Sequence, residues 1–505
     1  MAMPSPAIAA MLPGMGERHS RLIETARARL GPRGVITDAA EIGPWLTDWR
    51  GRFHGSAAAI LAPGSTDEVA SVVALASETG VALVPQGGNT SMVAGATPPA
   101  DGSALILSLR RMNRLRAISA ADRMAVAEAG MILGDLHGRA AEVGCRFPLT
   151  LGARGSATIG GLVATNAGGT QVLRFGTMRA LVAGVEAVLP DGSVHDGLGA
   201  LKKDNRGYNL DQLLVGSEGT LGVITAAALK LVPAVAGRTV AWAGVESPGR
   251  ALDLLRFLEE RTDAVEGFEL IPGDALDLVL RHIPGTRSPL GGRHGWHVLI
   301  EASTEGDVAA LAGLIEQALG AALEEGLIAD ATLASSEAQA EAFWRIRDSI
   351  SEAERATGAS LAHDISVAVS DMPRFIVEAS AEVARAFPFA SASAFGHLGD
   401  GNVHFHVRSD DAAAMAASAE RIMRLVHDLV TAAGGSISAE HGIGQLKLAE
   451  LERLAPPGRL QALRAIKQAL DPGGIMNPGK LVRAVPPSNL AEPSKSWRTQ
   501  EDSNL

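Results

Sequence analysis

The sequence predicts an α+β protein with two main domains, and three observations support this prediction. The chain has 505 residues, more than a single domain usually contains. Its N-terminal half shows a strand–helix–strand pattern and then several glycine-rich loops, as expected where a backbone approaches a ligand closely. Beyond Pro233, helical runs alternate with strand-like runs, which predicts a second, α+β domain placed over the first.

The strand–helix–strand unit is recognised from its boundaries. Residues 57–61 form a short apolar run, and residues 81–84 form another. Between them, Ser65 and Glu68 have the spacing of a capping box. Gly80 stands where a helix commonly ends. The sequence therefore predicts a helix between Ser65 and Gly80.

Three loops rich in small residues lie in the same half: PQGGNTS at 85–91, GSATIGGLVATNAGG at 155–169 and GSEGTLGVIT at 216–225. Glycines and consecutive backbone N–H groups can enclose an anion, although the first loop alone also fits a plain turn. The second and third loops lack the P-loop lysine and give no clean dinucleotide-binding fingerprint. A P-loop NTPase and a Rossmann domain are thus disfavoured, and a long polyanionic ligand is indicated.

The composition excludes several classes of function. The net charge is −11, so nucleic-acid binding has no electrostatic support. The single cysteine, Cys145, excludes an intramolecular disulfide framework and a cysteine-based metal site. There is no apolar run of about 18 residues and no signal-peptide pattern. We therefore expect a cytoplasmic protein without a transmembrane segment; peripheral attachment to a membrane stays open. Residues 483–505 are rich in Pro, Ser and charge, which predicts disorder.

The stretch FGHLGDGNVHFHV, residues 395–407, holds three histidines around the Asp-Gly pair at 400–401. An Asp-Gly pair predicts a two-residue hairpin turn. This turn would place His397 directly opposite His404, with His406 on the same face. Three converging imidazoles fit a zinc-type site, and a hairpin whose histidines bond to the backbone fits about as well. A carboxylate from elsewhere in the chain would favour the metal.

Such a carboxylate occurs in GGSISAEHGIGQLK, residues 434–447. Glu440 and His441 follow a strand-like run, and adjacent residues on a strand point to opposite faces. One of them can therefore bind a metal while the other faces a substrate. Two histidines, one glutamate and an open position are the general form of a catalytic metal site, although a structural site is an alternative.

The three small-residue loops, in this order and spacing, resemble the FAD-binding domain of the vanillyl-alcohol oxidase / p-cresol methylhydroxylase superfamily. TDWRG at 47–51 and KDNRGYNL at 203–210 extend the resemblance over about residues 40–233. It implies that the first loop wraps the FAD pyrophosphate, and that the others line the ribityl chain, adenine and flavin ring. Asn89 stands where covalent members often carry histidine, so non-covalent FAD is implied. The residues implied to bind FAD are Pro85, Gln86, Gly87, Gly88, Asn89, Thr90, Ser91, Gly155, Ser156, Ile159, Gly160, Gly161, Thr165, Asn166, Gly168, Gly169, Glu218, Gly219, Gly222, Val223, Ile224 and, in the closing NPGK motif, Asn477.

The histidine segments match, letter for letter, the G-H-x-G-D-G-N-x-H and E-H-G-I-G motifs of the FAD-linked D-2-hydroxyacid dehydrogenases. This resemblance implies that His397, His404 and Glu440 hold a divalent metal, zinc or manganese, and that His441 is the catalytic base. It also implies oxidation of a D-2-hydroxy acid to the 2-oxo acid, with hydride transfer from C2 to flavin N5. The implied domains are a helical lead-in (1–39), an FAD-binding domain (40–233), a substrate- and metal-binding cap that returns to the flavin (234–482), and the tail (483–505).

Substrate selection is predicted on a helix across EAFWRIRDSISEAERATG, where Arg347 and Ser351 are four residues apart and share a face. By resemblance they bind the distal carboxylate of hydroxyglutarate-type substrates; a solvated arginine is the alternative. Two residues depart from those relatives: Ala362 stands in place of a lysine, and His406 in place of an asparagine that touches substrate. Because the lysine is absent, a charge-assisted hydrogen bond is lost and a dicarboxylate preference stays open. His406 is predicted to contact the substrate; a third imidazole ligand of the metal and a group that supports the metal ligands are the alternatives.

Two other functions keep the flavin fold. One is an alcohol or sugar-acid oxidase that uses O₂, and the other is an FAD-fold subunit of a multi-subunit glycolate-type oxidase. The intact set of histidines and glutamate favours the dehydrogenase. The sequence leaves open the electron acceptor (an electron-transfer flavoprotein, a quinone or a cytochrome) and the formation of a homodimer.

Overall fold

The computed structural model describes residues 15–199, 201 and 203–483. Two sheets form the N-terminal half. The first consists of β1 (Val35–Ile36), β2 (Ile60–Leu61), β3 (Ala82–Gln86) and β4 (Ala104–Ser108). Its strands lie in the order β1-β2-β4-β3; β1 is antiparallel to β2, and the other pairs are parallel.

The second sheet is antiparallel. It consists of β5 (Leu115–Ser119), β6 (Met124–Glu128), β8 (Val182–Val188), β9 (Val194–Asp196) and β10 (Val223–Lys230), and a separate ribbon pairs β7 (Cys145–Arg146) with β11 (Val232–Pro233). The strand order is β5-β6-β10-β8-β9. The helices of this half are α1 (Met15–Leu30), α2 (Ala39–Ile42), α3 (Thr66–Thr79), α4 (Leu133–Glu142), α5 (Ile159–Thr165), α6 (Val172–Phe175), α7 (Met178–Leu181) and α8 (Leu210–Leu214).

The predicted strand–helix–strand unit is present. Helix α3 begins after Ser65, whose Oγ accepts the backbone N–H of Glu68 at 3.2 Å, and it ends at Gly80 with φ 65°. The Glu68 carboxylate in turn accepts the N–H of Gly64, one residue before the N-cap, so the reciprocal bond of a capping box is displaced by one residue. The two strands of the unit, β2 and β3, are separated in the sheet by β4.

The C-terminal half is built on one antiparallel sheet of seven strands. They are β12 (Gly237–Val245), β13 (Val265–Pro272), β14 (Trp296–Thr304), β15 (Asp330–Leu333), β16 (Ala359–Ser366), β17 (Ser391–His397) and β18 (Asn402–Ser409). Their order is β15-β12-β14-β13-β17-β18-β16. The helices are α9 (Pro248–Glu259), α10 (Gly273–His282), α11 (Val308–Glu324), α12 (Glu337–Asp348), α13 (Ile350–Arg355), α14 (Met372–Ala386), α15 (Ala412–Ala432), α16 (Leu448–Leu454) and α17 (Pro457–Leu470).

Apolar side chains cover both faces of this sheet. Helices α9, α11, α14 and α15 pack on one face, while α10, α12 and α13 pack on the other. Alternate residues of a strand point to opposite faces. The second face therefore carries Phe395, which is buried among α10, α12 and α13, and with it the histidines discussed below.

Both ends of the described chain belong to the N-terminal half. Helix α1, within the predicted helical lead-in, packs Leu22, Ala26 and Leu30 into the core of the first sheet. Its apolar stripe needs such a sheet to cover it. At the other end, Leu83 exchanges backbone hydrogen bonds of 2.8 Å with the segment 475–477. The predicted disordered tail lies, beyond residue 483, outside the described residues.

Candidate active site

A cavity of about 590 Å³ lies in the N-terminal half, between the small-residue loops. Most residues predicted to bind FAD line it: Pro85, Gln86, Gly87, Gly88, Asn89, Thr90, Ser91, Ser156, Gly160, Gly161, Thr165, Gly168, Glu218, Gly219, Gly222, Val223 and Ile224. The loops come this close because they lack side chains. A Cβ on Gly88 would overlap the carbonyl oxygen of Ser156.

Five residues predicted to bind FAD do not line the cavity: Gly155, Ile159, Asn166, Gly169 and Asn477. Ile159 turns into the core, because it sits on the inner side of α5. Asn166 ends α5 in the left-handed region, φ 50°. Asn477 donates to the carbonyl oxygens of Gly95 and Glu218 at 2.9 and 2.7 Å. At least these three support the wall and do not form its surface.

The cavity suits a large polar cofactor. Its wall includes Thr158, which sequence reasoning missed. The Thr158 hydroxyl and the Gln86 amide oxygen are buried without a hydrogen-bond partner among the described residues. Buried polar atoms normally have partners, so these two are available to a ligand such as FAD. Glu440 and His441 also line the cavity, which brings the C-terminal half to its edge.

Beside the cavity, His397, His404 and Glu440 come together. One potential ligand atom from each lies within 4.8 Å of the other two, and the two imidazole centroids are 5.5 Å apart. We call these three residues the histidine–glutamate cluster. Imidazole nitrogens and a carboxylate are suitable ligands for zinc and related divalent metals, so the residues fit such an ion.

The predicted register of the histidine hairpin is wrong. His404 lies opposite Phe395, and His406 lies opposite Ser393. The turn is longer than two residues, since the N–H of Gly401 bonds to the carbonyl of His397 at 3.1 Å. The pairing has moved by two residues, and an even shift leaves every side chain on its original face. His397 and His404 therefore still converge, as predicted.

Glu269, at the centre of β13, holds two residues of the site in place. Its side chain is fully buried, accepts from Arg347 Nε at 2.7 Å and lies 3.1 Å from His397 Nδ1. Arg347 Nη2 also lies 3.2 Å from His397 Nε2. A carboxylate behind a histidine is the usual support of a metal ligand. Sequence reasoning missed Glu269; a glutamate inside the apolar run VEGFELIP was the available signal.

Asp364 positions the segment that carries Glu440 and His441. Its Oδ2 accepts both backbone N–H groups at 3.0 Å and lies 3.5 Å from His441 Nδ1. The segment is a loop with one bridge at Ser436, not the predicted strand, because this carboxylate takes the place of a neighbouring strand. Sequence reasoning missed Asp364, although an aspartate late in the strand SLAHDIS was visible.

A second carboxylate fixes the same loop from the N-terminal half. Glu218 is buried and accepts the N–H groups of Ile443 and Gly444, each at 2.7 Å. Burial raises the pKa of Glu218, and these two hydrogen bonds oppose that rise. The loop is thus held between both halves of the molecule, with His441 at the edge of the cavity.

Burial favours the neutral forms of His404, His441 and Glu440. Burial lowers the pKa of His404 well below its ordinary value, and Arg347 adds to the effect. Burial also lowers the pKa of His441, although the Asp364 charge opposes this. Burial raises the pKa of Glu440 to about 7, while His397 opposes the rise. Neutral imidazoles keep free lone pairs, which a cation requires.

Two of the predicted substrate residues, Arg347 and His406, lie beside this cluster. The predicted single helix is interrupted at Ser349, so Arg347 lies in the last turn of α12 and Ser351 in the first turn of α13. His406 Nδ1 is hydrogen-bonded to Glu354 Oε2, and its ring meets Phe395 edge-on at 5.0 Å between centroids. A carboxylate thus already occupies one nitrogen of His406. Ala362 lies directly opposite His406 in the sheet, so the two departures from the hydroxyglutarate-type pattern are neighbours.

Comparison with known proteins finds two domain families in this chain. Residues 57–197 match the family described as "FAD binding domain", and residues 236–481 match "FAD linked oxidases, C-terminal domain". The mitochondrial D-2-hydroxyglutarate dehydrogenase of Bos taurus is 38% identical over 468 residues, covering 90% of this chain and 82% of the relative. D-2-hydroxyglutarate dehydrogenase of Xanthomonas citri pv. viticola is 36% identical over 448 residues, covering 88% and 93%.

Among solved structures, p-cresol methylhydroxylase with substrate bound has a TM-score of 0.72 at 14% identity, covering 94% of this chain and 98% of its own. At that identity the likeness shows the fold alone. The chain belongs to the family of FAD-linked D-2-hydroxyacid dehydrogenases. It is an FAD-dependent oxidoreductase that acts on the CH–OH group of a hydroxy acid. In the described part of the chain, no helix is long and apolar enough to cross a membrane.

Proposed function

We propose that this enzyme oxidises a D-2-hydroxy acid to the 2-oxo acid with the help of a divalent metal, and that His441 is the base. One observation carries the proposal. Glu440 and His441 line the FAD-type cavity, and Glu440 at the same time belongs to the histidine–glutamate cluster. A substrate held at the cluster would therefore lie beside both the base and the flavin.

His441 takes the proton of the 2-hydroxyl group. Its neutral form, favoured by burial, is the form that accepts a proton. Asp364 lies behind the ring, 3.5 Å from Nδ1, and its negative charge stabilises the imidazolium that results. Burial raises the pKa of Asp364, but neighbouring cationic groups, Lys447 among them, hold it well below its ordinary value, so this carboxylate stays ionised.

The reaction also needs FAD and a divalent metal, and residues of this chain are suited to hold both. Bound FAD would accept the two electrons released when the C2–H bond breaks. A divalent ion, zinc or manganese, held by His397, His404 and Glu440 would supply positive charge that orients the hydroxy acid and acidifies its hydroxyl group. Glu269, 3.1 Å from His397 Nδ1, would keep that ring in the required orientation, and an ion on Nε2 would replace the contact of that nitrogen with Arg347.

Non-covalent binding of FAD is part of the proposal. Asn89, at the position where covalent members carry histidine, uses its side-chain N–H to bond the carbonyl of Thr47 at 2.9 Å. An amide of this kind offers no nucleophile to the flavin. Acid precipitation of the purified holoprotein should therefore release all the yellow colour into the supernatant.

The substrate is proposed from the relatives and tested directly. Relatives named for D-2-hydroxyglutarate make it the first candidate, while Ala362 favours inclusion of D-lactate as a second. The test is anaerobic bleaching of the flavin by D-2-hydroxyglutarate, D-malate, D-lactate and glycolate. Absence of bleaching by every D-2-hydroxy acid would sink the proposal, and stoichiometric peroxide in air would favour an oxidase.

The metal is tested by elemental analysis of a variant. His404→Ala should lose the bound ion while it keeps FAD, because the cluster then lacks one ligand. His427→Ala is the matched control. His427 lies on α15 and is also buried, but it pairs with Glu450 of α16 at 2.9 Å. Full metal content in His404→Ala would contradict the assignment.

A further inference from the structure

Beyond the histidine–glutamate cluster, the same face of the cap sheet continues to His406. His404 and His406 are alternate residues of β18 and therefore lie on one face. The Phe395 ring contacts both, with its centroid 5.2 Å from that of His404 and 5.0 Å from that of His406. His406 does not line the FAD cavity. It is thus adjacent to the cluster on a side that the flavin does not reach.

The residues opposite His406 on both neighbouring strands are small. Ala362 of β16 and Ser393 of β17 are its direct partners, so the Cβ atom of each lies about 5 Å from that of His406. Small side chains on both sides leave the imidazole as the largest polar group in this strip of the sheet. We call His406, Ala362 and Ser393 the His406 niche.

Glu354, on α13, fixes the imidazole from above the sheet. Its side chain is 1% exposed, and its Oε2 is hydrogen-bonded to His406 Nδ1. An ionised carboxylate only accepts hydrogen bonds, so the ring donates through Nδ1. Nε2 is then the nitrogen that remains for a ligand.

The His406 niche carries no net positive charge. Glu354 and His406 together are neutral when the imidazole is protonated and negative when it is not. Arg408, two residues further along β18, pairs with Asp274 at 2.8 Å and lies 3.7 Å from Glu354. A lysine at position 362 would add a positive charge here, and Ala362 adds none. A second carboxylate in this place would therefore meet negative charge without a cation to offset it.

The charge of Arg347 is matched separately. Its guanidinium lies over the Phe395 ring at 5.8 Å, on the cluster side, and its Nε is 2.7 Å from Glu269 Oε2. The cations on both sides of the His406 niche, Arg347 and Arg408, are thus already paired with carboxylates.

Two polar atoms at the niche are suited to an uncharged group. Ser393 Oγ and Glu354 Oε1 are buried and have no hydrogen-bond partner among the described residues. Buried polar atoms normally have partners. A hydroxyl group can donate to the carboxylate oxygen and accept from the serine, whereas a carboxylate can only accept.

We propose that Glu354 is a positioning residue: it holds His406 so that the niche selects 2-hydroxy acids with an uncharged, hydrogen-bonding distal group, such as a hydroxyl, over those with a second carboxylate. This inference rests on the proposed function and deepens it by naming the substrate class. It separates this chain from its relatives named for D-2-hydroxyglutarate.

The test compares two acids of equal length, D-2,5-dihydroxypentanoate and D-2-hydroxyglutarate. Wild type should have the higher kcat/KM with the first. Glu354→Gln keeps an oxygen that accepts from His406 Nδ1 but removes the charge. It should lower the ratio of the two kcat/KM values by about 10-fold, the effect of one charge roughly 10 Å away. Glu352→Gln, which removes an exposed carboxylate of the same helix, is the matched control and should leave the ratio unchanged.

Two further variants test the niche itself. Ala362→Lys places a cation opposite His406 and should lower the same ratio by about 10- to 150-fold, the value of a charge-assisted hydrogen bond. The effects of Glu354→Gln and His406→Asn on the ratio should not add, because Glu354 acts through His406.

Several results would overturn the proposal. A wild type that prefers D-2-hydroxyglutarate, or a ratio unchanged in Glu354→Gln, would reject the selection. An equal loss with both acids in Glu354→Gln would mean that Glu354 supports only the fold. Additive effects of Glu354→Gln and His406→Asn would mean that Glu354 does not act through His406.

Binding of unreactive acids separates this inference from the reaction itself. We expect 5-hydroxypentanoate to raise the Tm of the wild-type holoprotein more than glutarate does, and Glu354→Gln to narrow the difference. If no 2-hydroxy acid bleaches the wild-type flavin, the proposed function fails, while this difference in Tm still supports the niche. If the flavin is bleached but glutarate raises the Tm of the wild type at least as much as 5-hydroxypentanoate, the niche alone is rejected.

Discussion

The FAD cavity and the histidine–glutamate cluster are built by opposite means. Short loops, each a run of adjacent residues, form the cavity, and the absence of side chains at Gly87 and Gly88 lets backbone segments approach. The cluster consists of buried charged side chains from strands and loops far apart in the chain, supported by Glu269 and Asp364. A backbone-built site depends on local sequence, whereas a side-chain site depends on how distant segments meet.

The largest effect is expected at the point where the two regions touch. His441→Ala should slow anaerobic flavin reduction by about 10²- to 10⁴-fold, because a positioned general base contributes that much. Stopped-flow bleaching measures the rate, and the flavin-to-protein ratio serves as the control and should stay unchanged. Near-normal reduction would remove His441 from the role of base.

The backbone-built region is tested by a pair of glycines. Gly88→Ala places a Cβ against the carbonyl oxygen of Ser156, and overpacking of this kind costs about 1–3 kcal/mol. We expect FAD affinity to fall by about 5- to 150-fold. Gly155→Ala is the matched control, since a Cβ there meets nothing within 4 Å. Equal flavin content in the two variants would contradict the close approach at Gly88.

The side-chain region is tested by a pair of glutamates on β13. Glu269→Gln weakens the support of His397 and Arg347, and loss of such support typically lowers metal affinity or activity by about 10- to 100-fold. Glu266→Gln is the control, because Glu266 is equally buried but pairs with Arg146 and Arg174. Both variants should lose stability. If both also lost metal to the same extent, the effect would lie in the fold and not in the site.

The smallest effect is expected far from both sites. Ser65→Ala removes the N-cap of α3, which costs about 1 kcal/mol and should lower Tm by a few degrees at most. Flavin reduction should not change. A change in its rate would show that the strand–helix–strand unit transmits strain to the cavity.

The sequence predicted the histidine hairpin only in part. The Asp-Gly pair suggested a two-residue turn, yet the carbonyl of His397 bonds to Gly401 and lengthens it. The face of each histidine was nevertheless right, because the register moved by an even number of residues. Turn length depends on how Leu398 and Gly399 pack against the rest of the chain, which local sequence does not specify. Leu398, for example, bonds through its N–H to the carbonyl of Phe268.

Local patterns by themselves determined the glycine loops, the capped helix α3 and the proximity of His397 to His404, since each depends on residues close in sequence. Only the tertiary structure decided that Glu269 and Asp364 support the site, and that Glu218 of the N-terminal half holds the loop that carries His441. The reason is physical. A buried charge acts over a few ångströms, and the partner that stabilises it is chosen by strand order and domain contact, not by distance along the chain.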